Sequence, residues 1–233
     1  MGQAPPVIDF LASVVAWFAD PAHWRGEDGI PTRLFEHVQL SGAAVAIAAA
    51  IALPLGLYLG HTGRGGFVAI NVANLGRALP SLALIALGLV ASIALGLGLG
   101  FWPTLFALVP LALPPILTNT FVAVRAVDRD TIEAARGMGL RETQILREVE
   151  LPLALPLILG GMRTAAVNVV ATATLGALVA GGALGRYIVD GLALQEYDRL
   201  FAGALLVAVL AIATELAFGI PAARSRYSGS VAE

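Results

Sequence analysis

Apolar residues in this chain do not alternate with polar ones; they run together. Five stretches, at about 37–60, 67–96, 101–125, 155–180 and 200–222, are dominated by Ala, Leu, Val, Ile and Gly. A helix rises 1.5 Å per residue, so each stretch is long enough to cross roughly 30 Å of hydrocarbon. The pattern predicts an all-α fold, a polytopic transmembrane helical bundle of about five spans. Pro80 interrupts the second stretch and Pro114-Pro115 the third. Treated as breaks, these would raise the count to six. Kinked helices are the preferred reading, because neighbouring helices in a membrane satisfy the carbonyls that a proline frees. Between the second and third stretches, GLGLGFWPT at 96–104 reads as a turn, with Gly and Pro as breakers and Phe101 and Trp102 as interfacial rings. The apolar segment at 7–19 is too short to cross and predicts an interfacial helix, with Trp17 and Phe18 near the headgroups.

Composition agrees with a bilayer. The 233 residues are 58% hydrophobic and 13% charged, with a mean hydropathy of +0.84, too few polar groups to cover a soluble domain. A net charge of -2 says little about partners, and no nucleic-acid partner is expected. All the basic residues are arginine, so the phosphate loop that needs a lysine is excluded from this chain. Without cysteine there is no disulfide, thiolate metal site or cysteine nucleophile. His23, His37 and His61 lie away from the middles of the spans, are not spaced as ligands, and read as interfacial residues. No catalytic constellation and no metal site is predicted. The start, MGQAPPVIDF, lacks the basic region of a cleaved signal peptide.

Arginine placement orients the spans. If residues 126–154 form a cytoplasmic loop, that side carries Arg64, Arg125, Arg129, Arg136, Arg141, Arg147, Arg224 and Arg226. The other side carries Arg25, Arg33, Arg186 and Arg199, which puts the N-terminus outside and the C-terminus inside. The count around the first span alone runs the other way. The expected organisation is an extracytoplasmic or interfacial segment at 1–35, a transmembrane domain at 36–223 and a short cytoplasmic tail at 224–233.

The longest of these loops holds EAARGMGLRETQILREVELP, Glu133 to Pro152, with seven charged side chains in twenty residues. Asp130-Thr-Ile-Glu133 is a capping-box-like start, which predicts Asp130 as cap and a short helix to about Met138. Gly137 and Gly139 can turn the chain. A second amphipathic helix should run from about Arg141 until Pro152 limits it, with Ile145, Leu146 and Val149 on one side. The loop is therefore a compact helix-turn-helix knob.

Glu133-Ala134-Ala135, three residues, Gly139, nine residues, then Val149-x-Leu151-Pro152 resembles the EAA loop of ATP-binding-cassette importer permeases, with Val in place of Ile. ALPSLAL at 78–84, LTNTFVAV at 117–124 and VELPLALPLILGGMRTA at 149–165 are similar to the glycine betaine, choline and osmoprotectant branch of that family. AGGALG at 180–185 resembles that branch's GAGGLG with an alanine shifted into the pattern, and the methionine branch shares the span layout and the loop. The resemblance implies a permease subunit of the bacterial cytoplasmic (inner) membrane. It implies that Glu133, Ala134, Ala135, Gly139, Ile145, Val149, Leu151 and Pro152 couple to a cytoplasmic ATPase that holds the ATP and Mg, so that this chain carries no cofactor and is no enzyme. Its further partners would be an extracytoplasmic solute-binding protein and a second permease copy or paralogue.

Polar residues within the spans offer a path for solute or bonds between helices. Thr164, Asn168 and Thr172 recur every fourth position; Asn71, Asn74, Ala78 and Ser81 make a weaker face, and Thr118, Asn119 and Thr120 follow the third-span prolines. Arg77 can snorkel or gate. Glu215, deep in the last span, must be paired, protonated or turned to water. Proton coupling through Glu215 would make this a secondary transporter, against which the EAA loop argues. Gly160, Gly161, Gly176, Gly181 and Gly182 suit close helix packing or a dimer seam.

Overall fold

The computed structural model describes residues 7–67, 70–71 and 79–227. Among them every regular element is helical: α1 (Val7–Ala19), α2 (Ile30–Thr62), α3 (Ser81–Ala94), α4 (Phe101–Arg125), α5 (Arg129–Gly137), α6 (Glu142–Gln144), α7 (Leu151–Ala173), α8 (Gly185–Leu194) and α9 (Tyr197–Tyr227), with short 3-10 or π stretches between some of them. Four runs are long and apolar enough to cross a membrane: Ile30–Thr62, Phe101–Arg125, Glu142–Val179 and Tyr197–Phe218.

The two proline interruptions have opposite outcomes. Pro110, Pro114 and Pro115 all lie inside the unbroken α4, as expected of one span. At Pro80 the preferred kinked helix does not form: Leu79 and Pro80 are non-helical and α3 begins afresh at Ser81. A proline pushes the residue before it out of the helical region, and Leu79 accordingly lies outside any helix. The 14 residues of α3 fall short of a crossing, while residues 68–69 and 72–78 of the expected second span lie outside the described residues.

Contacts divide the chain into two compact units. The first comprises Met1–Ala43, Ser81–Leu108 and Val170–Ile212. Its core holds Trp17, Ile30, Leu184, Tyr187, Ala202 and Val207. Trp17 packs within the chain: its ring stacks on His23 at 4.0 Å and meets Tyr187 edge-on at 5.4 Å. Outward, α1 presents Val7, Ile8, Leu11 and Val15. The turn before α4 forms as expected, with Gly96, Gly98 and Gly100 at positive φ. His37 packs within the chain as well. It is fully buried, and its Nε2 donates to the Val170 carbonyl at 2.9 Å.

The second unit comprises Ala44–Pro80, Val109–Val169 and Ala213–Glu233. A core of Ala123, Val124, Ala154 and Ile158 is flanked by Leu53, Leu57 and Leu151, so α2, α4 and α7 meet here. The approach of α2 to α4 depends on glycine. A Cβ on Gly56 would sit 2.7 Å from Thr120 Cβ, and one on Gly60 2.7 Å from Val124 Cβ. This is the small-residue packing by which membrane helices gain dispersion contacts without a hydrophobic drive.

Candidate functional site

The charged loop, in the second unit, is a helical knob. Asp128, extended just beyond the end of α4, caps α5 by accepting from Asp130 N at 3.3 Å. The expected cap, Asp130, instead occupies the first turn, where its charge meets the positive end of the helix dipole. Both aspartates have capping chemistry; the point at which α4 releases the chain chooses between them. At the other end Gly139 N donates to Arg136 O and Leu140 N to Ala135 O, while Gly139 adopts φ +88°. This paired arrangement closes a helix around a left-handed residue. Of the two glycines expected to turn the chain, Gly139 does so.

Beyond the turn, Arg141 N donates to Gln144 Oε1 at 3.0 Å and helix resumes. Pro152 does not limit it, contrary to expectation, since Glu142–Val179 is one helical run. Residues Ile145–Glu150 widen into a π turn, with Leu151 N donating to the Leu146 carbonyl five residues back. The wider turn changes the carbonyl register ahead of the proline, where an ordinary helix would have to absorb a missing N–H and a ring clash.

The residues assigned to coupling divide by exposure. Glu133, Ala134, Gly139 and Pro152 are exposed, Val149 and Leu151 are half-buried, and Ala135 and Ile145 are buried within the chain. At the tip, Met138 is 75% exposed. Behind the knob lies a charged chain that sequence reading missed. Arg136 makes a two-pronged bond to Glu142, Nε to Oε1 at 2.8 Å and Nη2 to Oε2 at 3.0 Å. His61, near the end of α2, places Nε2 3.3 Å from Glu142 Oε2 and Nδ1 2.6 Å from Glu150 Oε2. The Glu150 side chain is only 4% exposed. An acid in the apolar run-in to a span was the available signal, but nothing local named its partner.

The path candidates are placed one by one. Asn71 Nδ2 donates to Phe67 O; Asn119 Nδ2 donates to Pro115 O, Thr120 Oγ1 to Ile116 O and Thr164 Oγ1 to Gly160 O, these three each four residues back on their own helix. Back-bonding of this kind occupies the donor locally. Thr120 is fully buried against Gly56, and a Cβ on Gly161 would meet Asn119 Cβ at 2.5 Å, so these two serve packing. Thr118 Oγ1 is buried without a hydrogen-bond partner. Thr164 and Asn168 are exposed on α7; in the first unit, Ser81 and Thr172 are half-buried. Asn74, Arg77 and Ala78 lie outside the described residues. Glu215 is paired: Arg163 Nη1 lies 3.1 Å from its Oε1.

The first unit holds a second polar network. Glu36 Oε2 accepts from Arg33 Nη1 at 2.8 Å and from Ala183 N at 2.7 Å, pinning the AGGALG segment, where Ala180 and Ala183 adopt left-handed φ. Arg33 also pairs with Asp28 and holds that carboxyl below its usual range. Tyr187 donates its hydroxyl to the Asp28 carbonyl, and burial pushes the phenol up to about 12. No cluster of metal-ligating side chains occurs among the described residues.

Residues 52–227 match the family described as binding-protein-dependent transport system inner membrane component. The carnitine transport permease protein OpuCB of Listeria monocytogenes is 36% identical over 90% of this chain and 91% of its own length. The choline transport system permease protein OpuBB of Bacillus subtilis is 35% identical over 81% of this chain and 84% of its own. The fold is that of a chain of the inward-facing MetNI methionine ABC transporter, with a TM-score of 0.74 and 20% identity over 84% of this chain and 95% of that one. With most of its spans, its loop and most of its length matched, the chain belongs to the inner membrane components of binding-protein-dependent transport systems.

Proposed function

We propose that the chain is a permease subunit of an ATP-driven importer for quaternary-ammonium osmoprotectants such as glycine betaine, choline or carnitine. The observation that carries the importer reading is the knob at Arg129–Gly139, a capped and turned short helix whose Glu133, Ala134 and Met138 are exposed. An exposed methionine between two glycines is an adaptable apolar contact for a protein partner. Relatives bearing choline and carnitine in their names support the substrate class.

In this reading the knob lies in the cytoplasm, with the N-terminus outside and the C-terminus inside. Two copies of a separate ATPase, holding ATP and Mg, engage it. The permease pairs with a second copy or a paralogue, and a solute-binding protein docks on the opposite side. Closure of the ATPase pair displaces the knob and shifts the spans between two arrangements, because each arrangement binds the partner's nucleotide states differently. Selectivity resides largely in the binding protein, where an aromatic cage suits a quaternary ammonium.

The test is reconstitution with the ATPase and binding protein encoded alongside, followed by competition among betaine, choline, carnitine, proline and methionine. Uptake that needs ATP and is blocked by the quaternary ammonium compounds is the expected result. Uptake blocked by methionine alone would move the chain to the amino-acid branch, and uptake that persists without the ATPase would remove the importer reading.

A further inference from the structure

Glu150 is a carboxylate buried where the knob joins α7, and its side-chain partner comes from neither element. That partner is His61, 89 positions away in α2, at 2.6 Å. The same ring reaches Glu142 through its other nitrogen, and Glu142 is gripped by Arg136 of α5. One continuous chain of charged contacts, Arg136–Glu142–His61–Glu150, thus ties both arms of the knob to the end of the first long span. The ring thus faces a different carboxylate with each nitrogen, Nδ1 hydrogen-bonded to Glu150 and Nε2 3.3 Å from Glu142. Arg125, Arg129 and Glu133 line the same cleft.

Apolar contacts resist separation but slide; a directed bond between a ring and a buried carboxylate fixes orientation as well as distance. The α2 contacts with α4 and α7 in this unit's core are apolar or glycine packing, which set the distance between helices but add no directed polar bond to the knob.

We propose that His61 is a positioning residue for energy coupling: it makes α2 follow the knob, so that displacement of Arg129–Glu150 by the ATPase is transmitted into that span. This rests on the reading that the knob docks an ATPase.

The test uses the complete importer in proteoliposomes, with co-purification of the ATPase, ATP hydrolysis and solute uptake measured on the same preparations. With His61→Gln, co-purification and binding-protein-stimulated hydrolysis should persist while solute moved per ATP falls about tenfold, the scale of a coupling free energy between sites. His61→Arg, whose guanidinium can donate to both carboxylates at once, should recover a substantial part of that ratio. Should His61→Gln fail to accumulate, Glu142→Gln at the exposed end of the chain replaces it, with the same fall expected. Uptake and hydrolysis that decline together, or a ratio unchanged in both variants, would overturn the role of His61. A Glu133→Lys permease that still co-purifies with the ATPase and imports normally would instead remove the docking reading beneath it.

Discussion

Arg163 of α7 and Glu215 of α9 form an ion pair at 3.1 Å within segments otherwise apolar, and their side chains remain 44% and 47% exposed. Charges in a span face protein or water, because hydrocarbon cannot solvate them. Thr164 and Asn168 are exposed on the same helix, around the axis from Arg163, so polar groups of α7 are not confined to the pair. Arg163→Gln or Glu215→Gln alone should lower accumulation in the membrane and uptake, because each leaves the other charge unpaired. The exchange Arg163→Glu/Glu215→Arg should recover much of both, read by immunoblot of membranes and by transport assay. Equal loss in the single and exchanged variants would mean that the pair contributes nothing as a pair.

Gly139 holds φ +88°, a conformation that costs an L-residue roughly 1–2 kcal/mol. Gly139→Ala should loosen the knob without affecting the spans. Hydrogen exchange should accelerate at Arg129–Leu140 alone and ATPase co-purification should weaken; Gly139→Asn, better tolerated at such positions, should be the milder change.

Packing of α2 on α4 predicts that Gly60→Val is disruptive, since its Cβ would fall 2.7 Å from Val124 Cβ. Overpacking of this kind costs about 1–3 kcal/mol, seen as a lowered Tm of the detergent-solubilised protein. Gly160→Ala is the control, because nothing within the chain lies within 4 Å of the added Cβ. It should leave Tm unchanged.

Asp28 titrates below its ordinary value because Arg33 bonds and attracts its charged form. A carboxyl whose folded pKa is depressed stabilises the fold above its unfolded value, near 3.8, and loses that contribution as pH falls through the folded value. The stability difference between the unsubstituted protein and Asp28→Asn should therefore be present at neutral pH and vanish on acidification below that range. Asp28 is largely exposed, so the difference should be below about 1 kcal/mol, and thermal melts at several pH values measure it.

Much of the knob was legible because its determinants are local. The interval from Glu133 to Gly139 sets helix length, and a glycine after it supplies the left-handed turn. Local chemistry was ambiguous only where two residues qualified, as with Asp128 and Asp130. At Pro152 a sound rule gave the wrong end, because the π turn at Ile145–Glu150 offered a route past the proline that spacing does not reveal. Pro80 and Pro114-Pro115 look alike in sequence. The latter pair is carried through within a helix whose Pro114 is fully buried, while Pro80 is exposed and non-helical just before α3.

By itself the sequence determined that the chain is helical, spans a membrane and carries an EAA-type loop, because hydrophobic run length, turn residues and motif spacing act over a few positions. Tertiary structure alone decided that His61 meets Glu150, that Arg163 meets Glu215 and that Ile145 turns inward while Glu133 stays exposed. Those outcomes depend on which helices lie side by side. A charge buried in such a medium takes whichever partner packing brings within reach, however distant that partner is along the chain.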